Sequence, residues 1–343
     1  MSKISDAEND CLMEEYLTDL YNKFREGNRR ALSRILTLVE NDDPAIVQVL
    51  QAIYRDVGKA HRVGITGPPG AGKSTLVNCL AQHLRKEGKA VAIVAVDPTS
   101  PFTGGALLGD RIRMTGALAD EHIFMRSMAS RGSSGGLARA TQDAADVLDA
   151  FGFDVVIIET VGVGQLELDV AGAVDTTAVV LVPEAGGNVQ AMKAGLIEIA
   201  DVFVVNKADR DGAEVQRQDI EESLSLKAAT GNSAWRIPIL KTIAMRDQGV
   251  DELVSAIGEH HRHLVEHNQL KTRRLDQRRR KIIAIMKYRI ENRLWNNRGL
   301  QPFLDSLSRL CAEGRMDPFT AASDFLKRAE VDEVRPEAMF MSC

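Results

Sequence analysis

Hydrophobic residues follow two rhythms along this chain. Between Asp6 and Gly58 they recur at helical spacing, Leu17, Leu20, Tyr21 and Phe24 and then Leu32, Ile35, Leu36 and Val39, with Asn41-Asp42-Asp43-Pro44 interrupting the pattern. This predicts a helical N-terminal extension over 1–60. From Arg62 onward short β-branched runs alternate with helical stretches, at 63–66, 91–96, 155–159, 178–182 and 202–205, and a further strand is expected through 237–240. Runs that are apolar at successive positions belong to a parallel sheet covered on both faces. A helix over 250–267 closes that region. Beyond Asn268 the strands cease, and 271–295, 300–312 and 318–329 read as helices with one apolar face. The predicted class is therefore α/β: a mostly parallel sheet flanked by helices over 61–267, followed over 268–343 by a helical arm for dimerisation or partner docking.

The chemistry begins where the first strand ends. Gly67-Pro68-Pro69-Gly70-Ala71-Gly72-Lys73-Ser74 fits G-x-x-x-x-G-K-[ST], and a helical stretch follows from Thr75, so the motif has the strand, loop and helix that give it meaning. Glycines let successive backbone N–H groups converge on a phosphate, and the helix N-terminus adds the positive end of its dipole. Lys73 is expected to bridge the β- and γ-phosphates and the Ser74 hydroxyl to ligate Mg²⁺. The fold expected is that of a P-loop nucleotide-binding protein.

Asn206-Lys207-Ala208-Asp209 ends the strand at 202–205 and points to guanine. Guanine offers N1–H and an exocyclic amine to a carboxylate such as Asp209, whereas adenine presents an unprotonated N1 there. A site built around such donors rejects analogues lacking them by roughly 10⁴–10⁵. Asn206 is expected to brace the loop and the Lys207 stem to cover the base. Thr75, Ile243, Ala244 and Met245 complete the nucleotide-binding set. Asp97 closes the run at 91–96, on the sheet edge where ligands sit, and is a magnesium-side candidate with Asp110 from the Gly-rich stretch that follows. For each of these two, a helix cap or turn residue is the alternative. Glu159-Thr160-Val161-Gly162-Val163-Gly164-Gln165 has Glu159 where common GTPases place Asp; it is expected to reach magnesium or orient the attacking water. Gly162 is expected to turn its N–H to the γ-phosphate, and Gln165 is a water-positioning candidate.

Composition narrows the picture modestly. A net charge of −5 over 343 residues argues against a general nucleic-acid binder. The four cysteines, Cys11, Cys79, Cys311 and Cys343, are widely spaced and suggest neither a disulfide framework nor a zinc site. No secretory or transit pattern and no bilayer-length apolar run are read, so a cytoplasmic protein without membrane association is expected. His260, His263 and His267 share a helical face and read as exposed residues rather than a metal site. The run Arg273-Arg274 and Arg278-Arg279-Arg280-Lys281 reads as a charged helix face beside a dimer seam.

Taken together, these segments resemble the methylmalonyl-CoA mutase-associated GTPases, the MeaB or ArgK-like proteins to which human mitochondrial MMAA is related. The phrase running from Asp97-Pro98 to Gly109-Asp110-Arg111 and the phrase at 159–165 carry the resemblance more specifically than the P-loop does. It implies a GTPase that serves as chaperone of an adenosylcobalamin-dependent acyl-CoA mutase and gates cofactor loading and repair; because the sequence offers no convincing arginine finger or general base, Mg²⁺-dependent hydrolysis is expected to be slow until the partner activates it. It implies no corrinoid of its own, a homodimer formed through C-terminal helices, and a cobalamin adenosyltransferase as a further candidate partner. Asp97, Asp110 and Glu159 would lie around magnesium and the γ-phosphate. The loop at 183–195, with Glu184, Gly186, Gly187, Asn188, Gln190 and Lys193, would be an additional switch facing the mutase. Departures from the family pattern at Ser133-Ser134, Leu166 and Gly187 fall where a mutase would be contacted, which points to a specialised relative of that enzyme as partner. Two other readings stay open, a nickel-carrying metallochaperone GTPase and a transport-linked protein kinase.

Overall fold

The computed structural model describes residues 6–97, 120–129, 136–160, 170–183, 195–228, 235–295 and 299–330. Among them seven strands form one parallel sheet: β1 (His61–Thr66), β2 (Val91–Asp97), β3 (Ile123–Ala129), β4 (Val155–Thr160), β5 (Thr176–Leu181), β6 (Val202–Asn206) and β7 (Ile239–Thr242). Their order is β3-β2-β4-β1-β5-β6-β7. The helices are α1 (Asp6–Arg25), α2 (Arg29–Glu40), α3 (Ile46–Ile53), α4 (Lys73–Lys86), α5 (Gly136–Phe151), α6 (Ala213–Ala228), α7 (Val250–Glu266), α8 (Gln269–Trp295), α9 (Gln301–Ala312) and α10 (Pro318–Glu330).

Successive strand residues point to opposite faces, and both faces are covered, which is why the strands are apolar without interruption. Ala92, Val94, Val96, Val156 and Ile158 pack under the first three helices and α5, while Val91, Ile93, Val155 and Ile157 pack under α4 and α7. The N-terminal helices are thus one wall of the sheet's core. Leu32, Ile35 and Leu36 are fully buried, and each such side chain contributes about 1.5–3 kcal/mol by leaving water.

Two strands differ from expectation. The sequence reading has no strand at Ile123–Ala129, which forms β3 at the sheet edge, paired along its length with β2. Partly buried Arg126 and Ser127 break its apolar run, as an edge strand permits. The last strand begins at Ile239 rather than at residue 237. Pro238 has no N–H to give to a ladder, although its carbonyl accepts from Phe203 N at 2.9 Å.

The amino edge of the sheet is dense with charge. Asp149, whose side chain is fully buried, accepts the backbone N–H groups of Gly58, Lys59 and Ala60 at 2.8–3.0 Å and pairs with Arg62 at 2.9 Å. Asp175, equally buried, is gripped by both Nε and Nη2 of Arg274, at 3.0 and 2.7 Å. Arg273 pairs with Asp201 at 3.0 Å, and Lys281 with Asp143 and Asp146 at 2.6 and 2.5 Å. The basic run is therefore not simply a solvated face: Arg273 and Arg274 bind the start of α8 to the sheet's amino edge, and Lys281 binds its middle to α5. The histidine expectation is corrected as well. His260 is buried, with Nδ1 2.9 Å from Thr176 Oγ1 and Nε2 3.3 Å from Asp201, and Thr176 Oγ1 in turn lies 2.8 Å from His61 Nε2. The sheet-facing side of α7 buries its polar residue because Thr176 and Asp201 supply partners.

The compact unit that holds the sheet extends through Lys281, and a second unit begins at Ile282. In the second unit Leu300, Leu307, Ala321 and Phe325 form a small core, and Asp317 caps α10 by accepting from Phe319 N and Thr320 N at 2.9 and 3.0 Å. No helix among the described residues is long and apolar enough to cross a membrane.

Candidate functional site

Strand order places the site. The chain leaves β1 for β2 on one side, returns through β4 beside β1, and then crosses to β5 on the other side, so the order reverses at the carboxyl end of β1. Ligands of open α/β sheets bind outside such a switch point. The P-loop occupies that position, between β1 and α4.

Its glycines are required by geometry. Gly67 has φ +137°, and a Cβ there would stand 2.0 Å from the Val180 carbonyl oxygen; Gly72 has φ +83°, and a Cβ there would stand 2.5 Å from Asn206 Nδ2. Gly72 gives α4 no side-chain cap, which leaves the first helical N–H groups for an anion. Lys73 is buried and donates from Nζ to the carbonyls of Gly67 and Pro68, at 2.6 and 2.9 Å. The ammonium is therefore held within the loop of Gly67, Pro68, Pro69, Gly70 and Ala71, where a phosphate chain lies in P-loop proteins.

Ser74 Oγ donates to Glu159 Oε1 at 2.7 Å, and Glu159 is buried near the end of β4. Thr160 Oγ1 donates to Thr66 Oγ1 at 3.0 Å and ties the ends of β4 and β1 together. A hydroxyl and a carboxylate brought together beside the phosphate loop are hard oxygen donors of the kind magnesium takes, so these residues fit the ion. Asp97 ends β2 at the same sheet edge, one position past the Val96–Thr160 pairing; its side chain lies outside the described set. Asp110, Gly162 and Gln165 also fall outside the described residues, as do Glu184, Gly186, Gly187, Asn188, Gln190 and Lys193.

The residues expected to read the base meet on the other side of the P-loop. Asn206 Nδ2 donates to Ala71 O at 2.8 Å, while its Oδ1 accepts from Thr242 Oγ1 at 3.0 Å and from Ala244 N at 3.2 Å. One buried amide thus joins β6, β7, the phosphate loop and the turn at Ala244–Arg246. Lys207, in the left-handed region at φ +57°, donates to Gly70 O at 2.8 Å, so its stem spans the space beside the loop. Asp209 is half exposed, with Arg246 3.9 Å away. Ala244 is buried, Met245 is exposed, and Ile243 pairs with Gln248 through bonds of 3.0 and 3.3 Å. Thr75 follows Ser74 in the first turn of α4.

The structure adds residues for which the sequence carries no local signal. Cys79 and His83, in later turns of α4, touch the turn at Ala244–Arg246 and the residue after it: Cys79 Sγ donates to Ala244 O at 3.3 Å, and His83 Nε2 lies 2.9 Å from Asp247. Among the described residues no group of three or more His, Cys, Asp or Glu is arranged to hold a metal of its own. Both ring nitrogens of His260 are already engaged.

Comparison with known proteins agrees with this arrangement. Residues 32–299 match the family described as Methylmalonyl Co-A mutase-associated GTPase MeaB. A protein of Pyrococcus abyssi named as a GTPase is 45% identical over 312 residues, 91% of this chain and 96% of its own length. The methylmalonic aciduria type A homolog of mouse mitochondria is 30% identical over 92% of this chain and 80% of its own length. A crystal structure described as LAO/AO transport system kinase superposes with a TM-score of 0.69 at 27% identity, covering 96% of this chain and 100% of that one. The chain belongs to the methylmalonyl-CoA mutase-associated GTPase family, and it hydrolyses GTP.

Proposed function

We propose that this GTPase is a magnesium-dependent switch that serves an adenosylcobalamin-dependent acyl-CoA mutase, methylmalonyl-CoA mutase or a close relative, gating cofactor loading and repair. The family's description and the mouse relative support the link to the mutase. The observation that carries the switch is the Ser74–Glu159 contact. It joins the phosphate loop to the strand end that leads directly into 161–169, so a change at the γ-phosphate reaches that segment through one side chain.

In this reading Lys73 moves from its loop carbonyls to the β- and γ-phosphates and offsets charge that develops as the terminal phosphoryl leaves. The backbone N–H groups at the start of α4 hold the phosphate chain. Ser74, Glu159, Asp97 and Asp110 hold Mg²⁺, which supplies further neutralisation of phosphate charge. Asp209 accepts from the guanine edge, with Gly162 at the γ-phosphate and Gln165 beside the attacking water. Residues Glu184 to Lys193 face the mutase, and an adenosyltransferase is a second candidate partner. The apolar residues Ile282, Met286 and Ile290, exposed at spacings of four along α8, support a homodimer, because an apolar helical stripe is stable when covered. The corrinoid stays with the partners.

The test is GTP turnover by the full chain, titrated with cobalamin-dependent acyl-CoA mutases one at a time. Turnover slow alone and raised at least tenfold by one of them is the expected result. Turnover already fast and indifferent to every such mutase would overturn partner gating, and transfer of the γ-phosphate to a protein acceptor would favour the kinase reading instead.

A further inference from the structure

The helix that leaves the P-loop also supports the base-reading turn from beneath. His83 is 9% exposed and stands between two carboxylates. Its Nε2 is 2.9 Å from both Oδ1 and Oδ2 of Asp247, and its Nδ1 is 2.5 Å from Oδ1 of Asp251. Asp247 closes the turn: it sits at φ +55°, and its N–H donates to Ala244 O at 3.2 Å. Only an imidazolium carries N–H on both nitrogens; a neutral ring turns a lone pair toward one of the two carboxylates at contact distance. The charged groups that the ring contacts are Asp247 from the turn and Asp251 from the first turn of α7. Burial, and after it the Asp247 carboxylate, push the Cys79 thiol up, so Cys79 keeps the proton it gives to Ala244 O.

We propose that His83 is a positioning residue for guanine recognition. Held between Asp247 and Asp251, it fastens Asp247, and through it the Ala244–Arg246 turn, to the P-loop helix, so the phosphate half and the base half of the site form one rigid unit. Loss of the ring loosens the turn and weakens binding of guanine nucleotides. The proposal rests on reading Asn206–Asp209 and Ile243–Met245 as the base site.

Equilibrium binding of fluorescent GDP and of inorganic tripolyphosphate to the full chain with Mg²⁺ tests it, because a loosened base turn weakens the nucleotide while the phosphate loop still takes the polyphosphate. His83→Gln keeps one donor and cannot carry charge. It should bind GDP about tenfold more weakly than the wild type, the scale of a lost charge-assisted pair, with tripolyphosphate affinity unchanged. Asp247→Asn, which leaves the ring in place, should show the same selective loss and stands in if the first variant fails to fold. Equal affinity of wild type and variants for GDP, or an equal loss for GDP and tripolyphosphate, would overturn the clamp. Asp209→Asn, assayed against xanthosine diphosphate, separates the two levels. If its preference does not move from GDP toward that nucleotide, the base-site reading falls and the clamp with it; if the preference moves while His83→Gln and Asp247→Asn bind GDP as the wild type does, only the clamp is overturned.

Discussion

At the amino edge of the sheet Asp149 and Asp175 are wholly buried and met by Arg62, Arg274 and backbone N–H groups, whereas at the carboxyl edge Lys73 rests on carbonyls of its own loop and Asp209 reaches half into solvent. Both edges are polar and both draw on residues far apart in sequence. They differ in what completes them. At the amino edge each carboxylate has its cation within the chain: burial raises the Asp175 carboxyl, yet Arg274 outweighs it and holds the group below the usual carboxylate range. At the carboxyl edge a lysine, a serine hydroxyl, a buried glutamate and uncapped helical N–H groups face a common place at the switch point, an arrangement a nucleotide completes. Charge density alone therefore does not locate a functional site; the more heavily ionised edge is the structural one.

That contrast can be broken first by removing one cation from the amino edge. Arg274→Ala leaves Asp175 buried without its bidentate partner and should lower unfolding stability by about 3–5 kcal/mol, while the fraction that remains folded binds GDP as the wild type does. Denaturant titration beside GDP binding checks both parts, and a weakened nucleotide site in a fully stable protein would contradict the division of roles. Glu159→Gln is the mirror experiment. It keeps the hydrogen bond from Ser74 but removes the charge, and GTP turnover should fall about 10²-fold with little change in melting temperature. A variant that turns over normally in Mg²⁺ would remove Glu159 from the site.

The smallest effect concerns the amino-edge histidines. Burial, and then the neighbouring His261, hold His61 down to about 3, and burial holds His260 down to about 4 although Asp201 pulls the other way. The unfolded chain takes up these protons near 6.5, so between those values the unfolded state binds more protons. The stabilisation from neutral, buried rings is full above 6.5 and is lost as pH falls through about 4 toward about 3. The melting temperature should decline as pH is lowered from about 7 to about 5, and His61→Asn should flatten part of that slope. An identical slope in the variant would show that His61 does not take part.

Legibility in the sequence followed locality. The P-loop is contiguous, so Gly67 to Ser74 announced itself, and the structure gives the reasons for Gly67 and Gly72 in Val180 and Asn206. The apolar strands at β1, β2, β4, β5 and β6 were legible because two covered faces demand unbroken hydrophobicity. β3 was not, since an edge strand tolerates Arg126 and Ser127. His260 looked exposed because helical spacing shows which residues share a face but not what that face meets; Thr176 and Asp201 come from other strands and loops. The contact of His83 with Asp247 was invisible for the same reason, the two lying far apart along the chain.

Hydrogen exchange on the full chain, with and without Mg²⁺ and GDP, tests the contrast between the edges most directly. Added protection is expected at 67–75, 159–160, 206–209 and 243–249, with exchange unchanged at 58–62, 141–149, 175–177 and 273–281. Protection spread equally over both edges, or confined to the amino edge, would contradict it.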